Sequence, residues 1–270
     1  MVRISVADGT TLHVQDVGTG RPVVLVHGWA LSGEVWDRSV ATLVHAGRRV
    51  VAIDLRGHGQ SDCPATGYDV GTLAGDVAAV LDTLDLRDVD LVGWSLGGLT
   101  SFRVAAHHAT RLRSLVLVAS CGVAASRRPG FAFGHYSEEL NAELYTRERT
   151  DRLASREGLI RDSLRFDGET PRRVVDWLIG ISHQTPSWAA EATLVTLQET
   201  DQAADLALVQ VPVVQIIGLR DPLLSVRGAD WVVDSLPDAR QVRIEGGGHF
   251  PMLEAADEFD AALLEAVGAS

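Results

Sequence analysis

The 270-residue chain contains no lysine; all 24 of its basic side chains are arginine. Chemistry that runs through a Schiff base on a side-chain amine is therefore excluded. Positive charge is scarce altogether. Against 24 arginines stand 36 Asp and Glu, for a net charge of −12. Such a surface repels phosphate backbones, so no nucleic-acid partner is expected. Two cysteines, Cys63 and Cys121, support neither a disulfide framework nor a zinc site. No apolar run approaches the roughly 20 residues of a membrane span. Met1-Val2-Arg3-Ile4-Ser5 lacks a signal-peptide pattern, so a cytoplasmic location without a membrane partner is expected. No G-x-G-x-x-G follows the first buried strand, so Gly57-His58-Gly59 does not read as a dinucleotide loop. Histidines and carboxylates show no metal-ligand spacing, and neither metal nor cofactor is expected. Repeats and low-complexity tails are missing too.

What is present is an alternation of buried strands and amphipathic helices. Val2–Val6 and Thr10–Gln15 read as a hairpin turning at Asp8-Gly9. Val23–Val26, Arg49–Ile53, Leu91–Gly93, Ser114–Ala119 and Val213–Ile217 are short apolar runs, the mark of strands covered on both faces. Gln241–Ile244 is a further strand. Helical spacing runs over Glu34–Ala46, Val70–Leu84, Ser225–Leu236 and Pro251–Val267. This order predicts an α/β fold with a mostly parallel, doubly wound, eight-stranded sheet. From Gly122 to Asp205 the strand pattern lapses into helix-like sequence. The expected division is a core of 1–121 and 206–270 with an inserted helical cap at 122–205.

The chemistry gathers at strand ends. Gly93-Trp94-Ser95-Leu96-Gly97-Gly98 lies between a buried strand and a helix, the setting in which G-x-S-x-G forms a nucleophile elbow. Glycines two residues either side of Ser95 fit a turn too tight for side chains. A serine nucleophile needs a base, and the base an orienting acid. Asp221 follows the Val213–Ile217 strand and His249 follows Gln241–Ile244. The chain order Ser, Asp, His is the one this elbow carries. Oxyanion donors are expected from the backbone N–H groups of Leu96, next to the serine, and Trp29, in the His27-Gly28-Trp29 loop. His27 is read as a brace of that loop. Trp94, Phe250 and the cap residues Trp177 and Trp188 are taken as pocket walls; Phe131, Phe133, Tyr136 and Tyr145 reinforce an apolar character.

Together His27-Gly28-Trp29, the run from Asp54 to Ser61 (Asp-Leu-Arg-Gly-His-Gly-Gln-Ser), the elbow, Asp221 and Gly248-His249-Phe250 resemble the α/β-hydrolase superfamily over nearly the whole chain. Within it the chain resembles small esterases, a group that includes pimeloyl-carrier-protein methyl esterases and cofactor-free haloperoxidases; Val26-His27-Gly28-Trp29 with Glu34-Val35-Trp36, and the elbow, look much like the former. The resemblance implies Ser95 as nucleophile, His249 as base, Asp221 as orienter, and Trp29 and Leu96 as oxyanion donors. It implies hydrolysis of a small carboxylic ester through an acyl-enzyme. Lactonases, carbon–carbon bond hydrolases and non-catalytic receptors of this fold are the alternatives. Haloalkane dehalogenases and epoxide hydrolases place aspartate where Ser95 stands. A monomer or a dimer fits the sequence equally.

Overall fold

A computed structural model describes residues 1–268; the last two residues of the expected core lie outside them. Eight strands form one sheet. They are β1 (Val2–Ser5), β2 (Thr11–Val17), β3 (Pro22–Val26), β4 (Arg49–Ile53), β5 (Val89–Trp94), β6 (Leu112–Val118), β7 (Val213–Gly218) and β8 (Ala239–Ile244). Their order is β1-β2-β4-β3-β5-β6-β7-β8. β1 and β2 pair antiparallel, as does β2 with β4, and every pairing from β4 onward is parallel. The chain winds outward from β3 to β4 and then returns to place β5 on its other side. A crevice is therefore left beyond the carboxyl ends of β3 and β5, where ligands of such sheets bind.

Ten α-helices flank or extend this sheet: α1 (Asp37–His45), α2 (Val70–Thr83), α3 (Leu96–His107), α4 (Glu138–Thr150), α5 (Arg152–Ser163), α6 (Arg172–Ser182), α7 (Ser187–Glu199), α8 (Val226–Ser235), α9 (Pro251–Glu254) and α10 (Ala256–Ala266). The strand period of two divides the core. Val24 and Val26 face α2, α3 and α8. Val23 and Leu25 face α1 and α10. All four side chains are fully buried, which explains an apolar run without alternation.

Helices α4 to α7 all fall between β6 and β7, inside 122–205. Among the described residues this stretch holds no strand, only the isolated bridges Ser126–Tyr136 and Arg128–Phe131. Its interior contains an ion pair: Arg156 donates through Nη2 to Glu148 Oε1 at 2.6 Å, with both side chains buried. Arg156 Nη1 also donates to the carbonyls of Ser182 and Thr185, at 2.6 and 2.8 Å. One guanidinium thus ties α4, α5 and the end of α6 together. Among the described residues no helix is long and apolar enough to cross a membrane.

Two helix expectations are corrected. The run Glu34–Ala46 opens as a tight 3₁₀ turn, Gly33–Trp36, capped by Ser32 Oγ accepting from the Glu34 N–H at 3.3 Å. The run Pro251–Val267 breaks at Ala255, where φ is −130° and ψ 54°. Ala255-Ala256 is a good helix former, so the break has no local cause. It coincides with Glu254 turning its carboxylate back onto the loop before α9.

The sheet and α3 meet without room for side chains. A Cβ on Gly97 would lie 2.3 Å from the Val26 carbonyl oxygen and 2.5 Å from that of His27. Both neighbours are backbone, so α3 would have to lift away from β3. Gly97→Ala should destabilise the fold by about 1–3 kcal/mol, the cost of overpacking, read as a lower urea midpoint. An unchanged midpoint would show that α3 does not press on β3 as described.

Candidate active site

Ser95 joins β5 to α3 with φ 54° and ψ −115°, a left-handed conformation that costs a non-glycine residue about 1–3 kcal/mol. The surroundings hold it there. Its N–H donates to the Val118 carbonyl at 3.1 Å. Its carbonyl accepts from Gly98 and Leu99 N–H, at 2.9 and 3.2 Å, and from Ser120 Oγ at 3.0 Å. A Cβ on Gly93 would sit 2.3 Å from the Gly97 carbonyl oxygen, and one on Gly98 2.4 Å from Ser120 Cβ. The glycine spacing seen in the sequence is thus a close approach of backbones.

The three residues read from strand ends come together. His249 Nε2 lies 3.2 Å from Ser95 Oγ, and Nδ1 lies 2.9 Å from Asp221 Oδ2. Asp221 Oδ1 accepts from Leu223 and Leu224 N–H at 2.7 and 3.1 Å, and its side chain is fully buried. With that carboxylate at Nδ1, the proton of neutral His249 belongs on Nδ1, leaving the Nε2 lone pair towards the serine. Trp94 Nε1–H donates to the His249 carbonyl at 2.7 Å. Besides lining the cleft, Trp94 thus holds the backbone of His249.

Leu96 is the first residue of α3, so its N–H has no partner within the helix. Trp29 stands opposite, in the loop after β3. Gly28 permits the approach, since a Cβ there would lie 2.8 Å from the Trp94 ring and 3.2 Å from Ser95 Cβ. The Trp29 indole N–H donates to the Ala190 carbonyl of α7 at 2.8 Å, so its side chain joins this loop to the cap. His27 is fully buried, donates from Nδ1 to the Gly28 carbonyl at 2.7 Å and accepts at Nε2 from the Leu55 N–H at 3.0 Å. That is a brace.

The loop after β4 supports this brace. Asp54 Oδ1 accepts from Gly33 N–H at 2.7 Å, and Oδ2 from Gln60 N–H at 2.9 Å. Arg56 grips both oxygens of Asp76, at 2.6 and 2.7 Å, and reaches Asp8 at 2.8 Å. Gly59, at φ +52°, would bring a Cβ within 2.3 Å of Asp54 Oδ2. The Asp54–Ser61 run is therefore scaffold beneath the His27-Gly28-Trp29 loop.

Over Ser95 opens a cleft. Leu144, Leu159, Ile160, Leu194 and Leu197, from the helices between β6 and β7, line it together with Trp29, Leu31, Trp94 and Phe250. Phe131, Tyr136 and His135 also border it. Cys121 does so as well, and burial pushes its thiol far up, towards the unreactive protonated form.

The expectation for Trp177 and Trp188 is overturned. Neither borders the cleft; they are 36% and 52% exposed. Helix α6 buries Val175, Leu178 and Ile181, and α7 buries Ala189, Ala190 and Leu194. Trp188 falls on the opposite face of α7 and donates to the Pro64 carbonyl at 3.2 Å, while Trp177 lies at the edge of the buried face of α6 with its side chain partly exposed. Phe133 and Tyr145 do not border the cleft either. Sequence reasoning missed Glu254, whose carboxylate accepts from the N–H groups either side of His249. No local pattern signalled it.

The profile of the alpha/beta hydrolase fold family matches residues 21–256. The chain belongs to that family, which is one of hydrolases. The pimeloyl-[acyl-carrier protein] methyl ester esterase of Nitrosomonas europaea is 34% identical over 256 residues, covering 92% of this chain and 96% of its own. Among solved structures, an esterase from Exiguobacterium antarcticum matches with a TM-score of 0.94 at 27% identity over 98% of both chains. A bromoperoxidase from Bacillus anthracis matches with a TM-score of 0.93 at 26% identity over 99% of both.

The scaffold has a pH signature. His58 packs 5.1 Å from His27, ring centre to ring centre, and is fully buried. Burial, aided by repulsion from His27, pushes His58 down to about 3; burial also lowers His27. An unfolded histidine titrates near about 6.5. Between those values the unfolded chain binds a proton that the folded chain excludes, so stability should fall as pH is lowered from about 6.5. His58→Gln should flatten, without abolishing, the dependence of the urea midpoint on pH between about 6.5 and 4.5, since burial also lowers His27, His135 and His183. An identical slope in the variant would contradict this assignment.

Proposed function

We propose that the protein hydrolyses carboxylic esters of small molecules through an acyl-enzyme, with Ser95, His249 and Asp221 as the triad. The observation that carries this reading is the unbroken line of contacts from Ser95 Oγ to His249 Nε2 at 3.2 Å and from Nδ1 to Asp221 at 2.9 Å. Ser95 Oγ attacks the ester carbonyl carbon as its proton passes to Nε2. Negative charge develops on the carbonyl oxygen, facing the N–H groups of Trp29 and Leu96 and the positive end of α3. Collapse expels the alcohol, which takes the proton from Nε2. Water then attacks the acyl-enzyme with the same base, releasing the acid and restoring Ser95. Asp221 stays ionised, fixes the tautomer and offsets the imidazolium charge.

The leucine-rich cap wall favours an apolar group on the substrate, and we assign selection among acyl chains to the cap. The esterase names among the relatives agree with an ester bond as the target. The test is a panel of p-nitrophenyl esters of increasing acyl length, with a lactone for comparison. Ser95→Ala should abolish turnover and keep the fold. Asp221→Asn should lower kcat by about 10⁴ through the wrong histidine tautomer; near-normal activity would remove Asp221 from its role. Leu194→Trp should shift preference towards short acyl chains while acetate turnover stays close to normal. Equal loss across the panel would contradict selection by the cap.

A further inference from the structure

Glu254 carries a carboxylate that the triad does not use, and it lies largely buried at the break between α9 and α10. Oε2 accepts from the Gly248 N–H at 2.5 Å and the Phe250 N–H at 3.2 Å. Oε1 accepts from the Arg165 N–H at 2.5 Å. The first two donors flank His249; the third belongs to the cap, just beyond α5. Leaving a carboxylate in such a place is costly unless its lone pairs are satisfied, and here backbone N–H groups satisfy them. Burial nevertheless pushes the Glu254 carboxyl above the usual range, against those donors and the nearby His249. The Arg165 guanidinium turns aside to its neighbour's carbonyl, Leu164 O, at 2.7 Å.

The same cap segment also reaches the Asp221 loop. Arg220 pairs with Asp167 and donates to the Phe166 carbonyl at 3.3 Å. Its N–H donates to the Gly247 carbonyl at 2.9 Å. The packing has no slack, since a Cβ on Gly248 would lie 2.8 Å from both Glu254 Oε1 and Arg165 Cβ. Segment 164–167 is therefore fastened at once to the loops of the base and of its orienting acid.

We propose that Glu254 is a positioning residue: it holds the peptide units on both sides of His249 and clasps them to cap segment 164–167, so that the cap and the aim of Nε2 are set together. The inference rests on the reading of His249 as the base. With Trp94 holding the His249 carbonyl, Glu254 completes the restraint of that residue's backbone. A displacement of the order of 1 Å at such a group is enough to cost about 10² in rate.

The test is Glu254→Gln in the full chain. One amide oxygen cannot accept all three N–H groups, while the volume is kept. We expect kcat to fall by roughly tenfold or more with KM unchanged. The downfield proton resonance of the His249 Nδ1–H should shift or broaden, a change that loss of stability alone does not produce. Wild-type kcat and an unmoved resonance would overturn the proposal. Arg165→Pro tests the cap arm separately, because it deletes one N–H and leaves the carboxylate. Leu164 already has the extended backbone, φ −80° and ψ 137°, that a following proline requires. The Pro variant should move the same resonance and lower kcat; no change in either would sever the cap from the positioning. Ser95→Ala is the control. If it stays active the triad reading fails, whereas a dead Ser95→Ala beside a normal Glu254→Gln rejects only the clasp.

Discussion

The structure depends on the absence of side chains where α3 crosses the ends of β3 and β5. Ser95 adopts a backbone conformation that serine resists, and it is held there by contacts between peptide units, not by its own side chain. Gly97 lies against the carbonyls of Val26 and His27, and Gly93 against Gly97. One close approach therefore fixes three things together: the exposure of the hydroxyl, the direction of the α3 N-terminus, and the distance from Leu96 to the loop carrying Trp29. The geometry of the candidate site here belongs to the packing of the fold.

Much of the remaining sequence maintains that approach. The Asp54–Ser61 loop carries no reacting group, yet its carboxylate, guanidinium and glycines form the floor on which His27 holds the Gly28-Trp29 turn. From the opposite side the stretch 122–205 reaches the core through several polar links, two of them beside the candidate site. The Trp29 indole meets α7, and segment 164–167 meets the loops of Asp221 and His249. Both links end next to groups of the site. The stretch 122–205 is thereby tied to the immediate neighbours of the candidate site residues.

How much of this could be read from the sequence follows from what each feature depends on. Buried parallel strands declare themselves by continuous apolar runs, and Ser95, Asp221 and His249 were legible because each follows such a run. The glycines were legible because only a backbone contact explains their spacing. Strand order was not written locally; it comes from winding away from β3 in two directions. Trp177 and Trp188 misled because aromatic character says nothing of helical phase, and neither is among the buried residues of α6 and α7. The break at Ala255 and the role of Glu254 were invisible for one shared reason. Each depends on hydrogen bonds to a loop whose place only the tertiary fold determines, and helix propensity points the other way.

In the proposed reaction Ser95 participates covalently. The direct measurement is to quench turnover of p-nitrophenyl butyrate with acid and map the trapped acyl group by mass spectrometry of peptides. The adduct should sit on the peptide containing Ser95, form within the burst of p-nitrophenol, and be absent from Ser95→Ala. Continued turnover with the acyl group on another residue, or with no adduct at any stage, would contradict it.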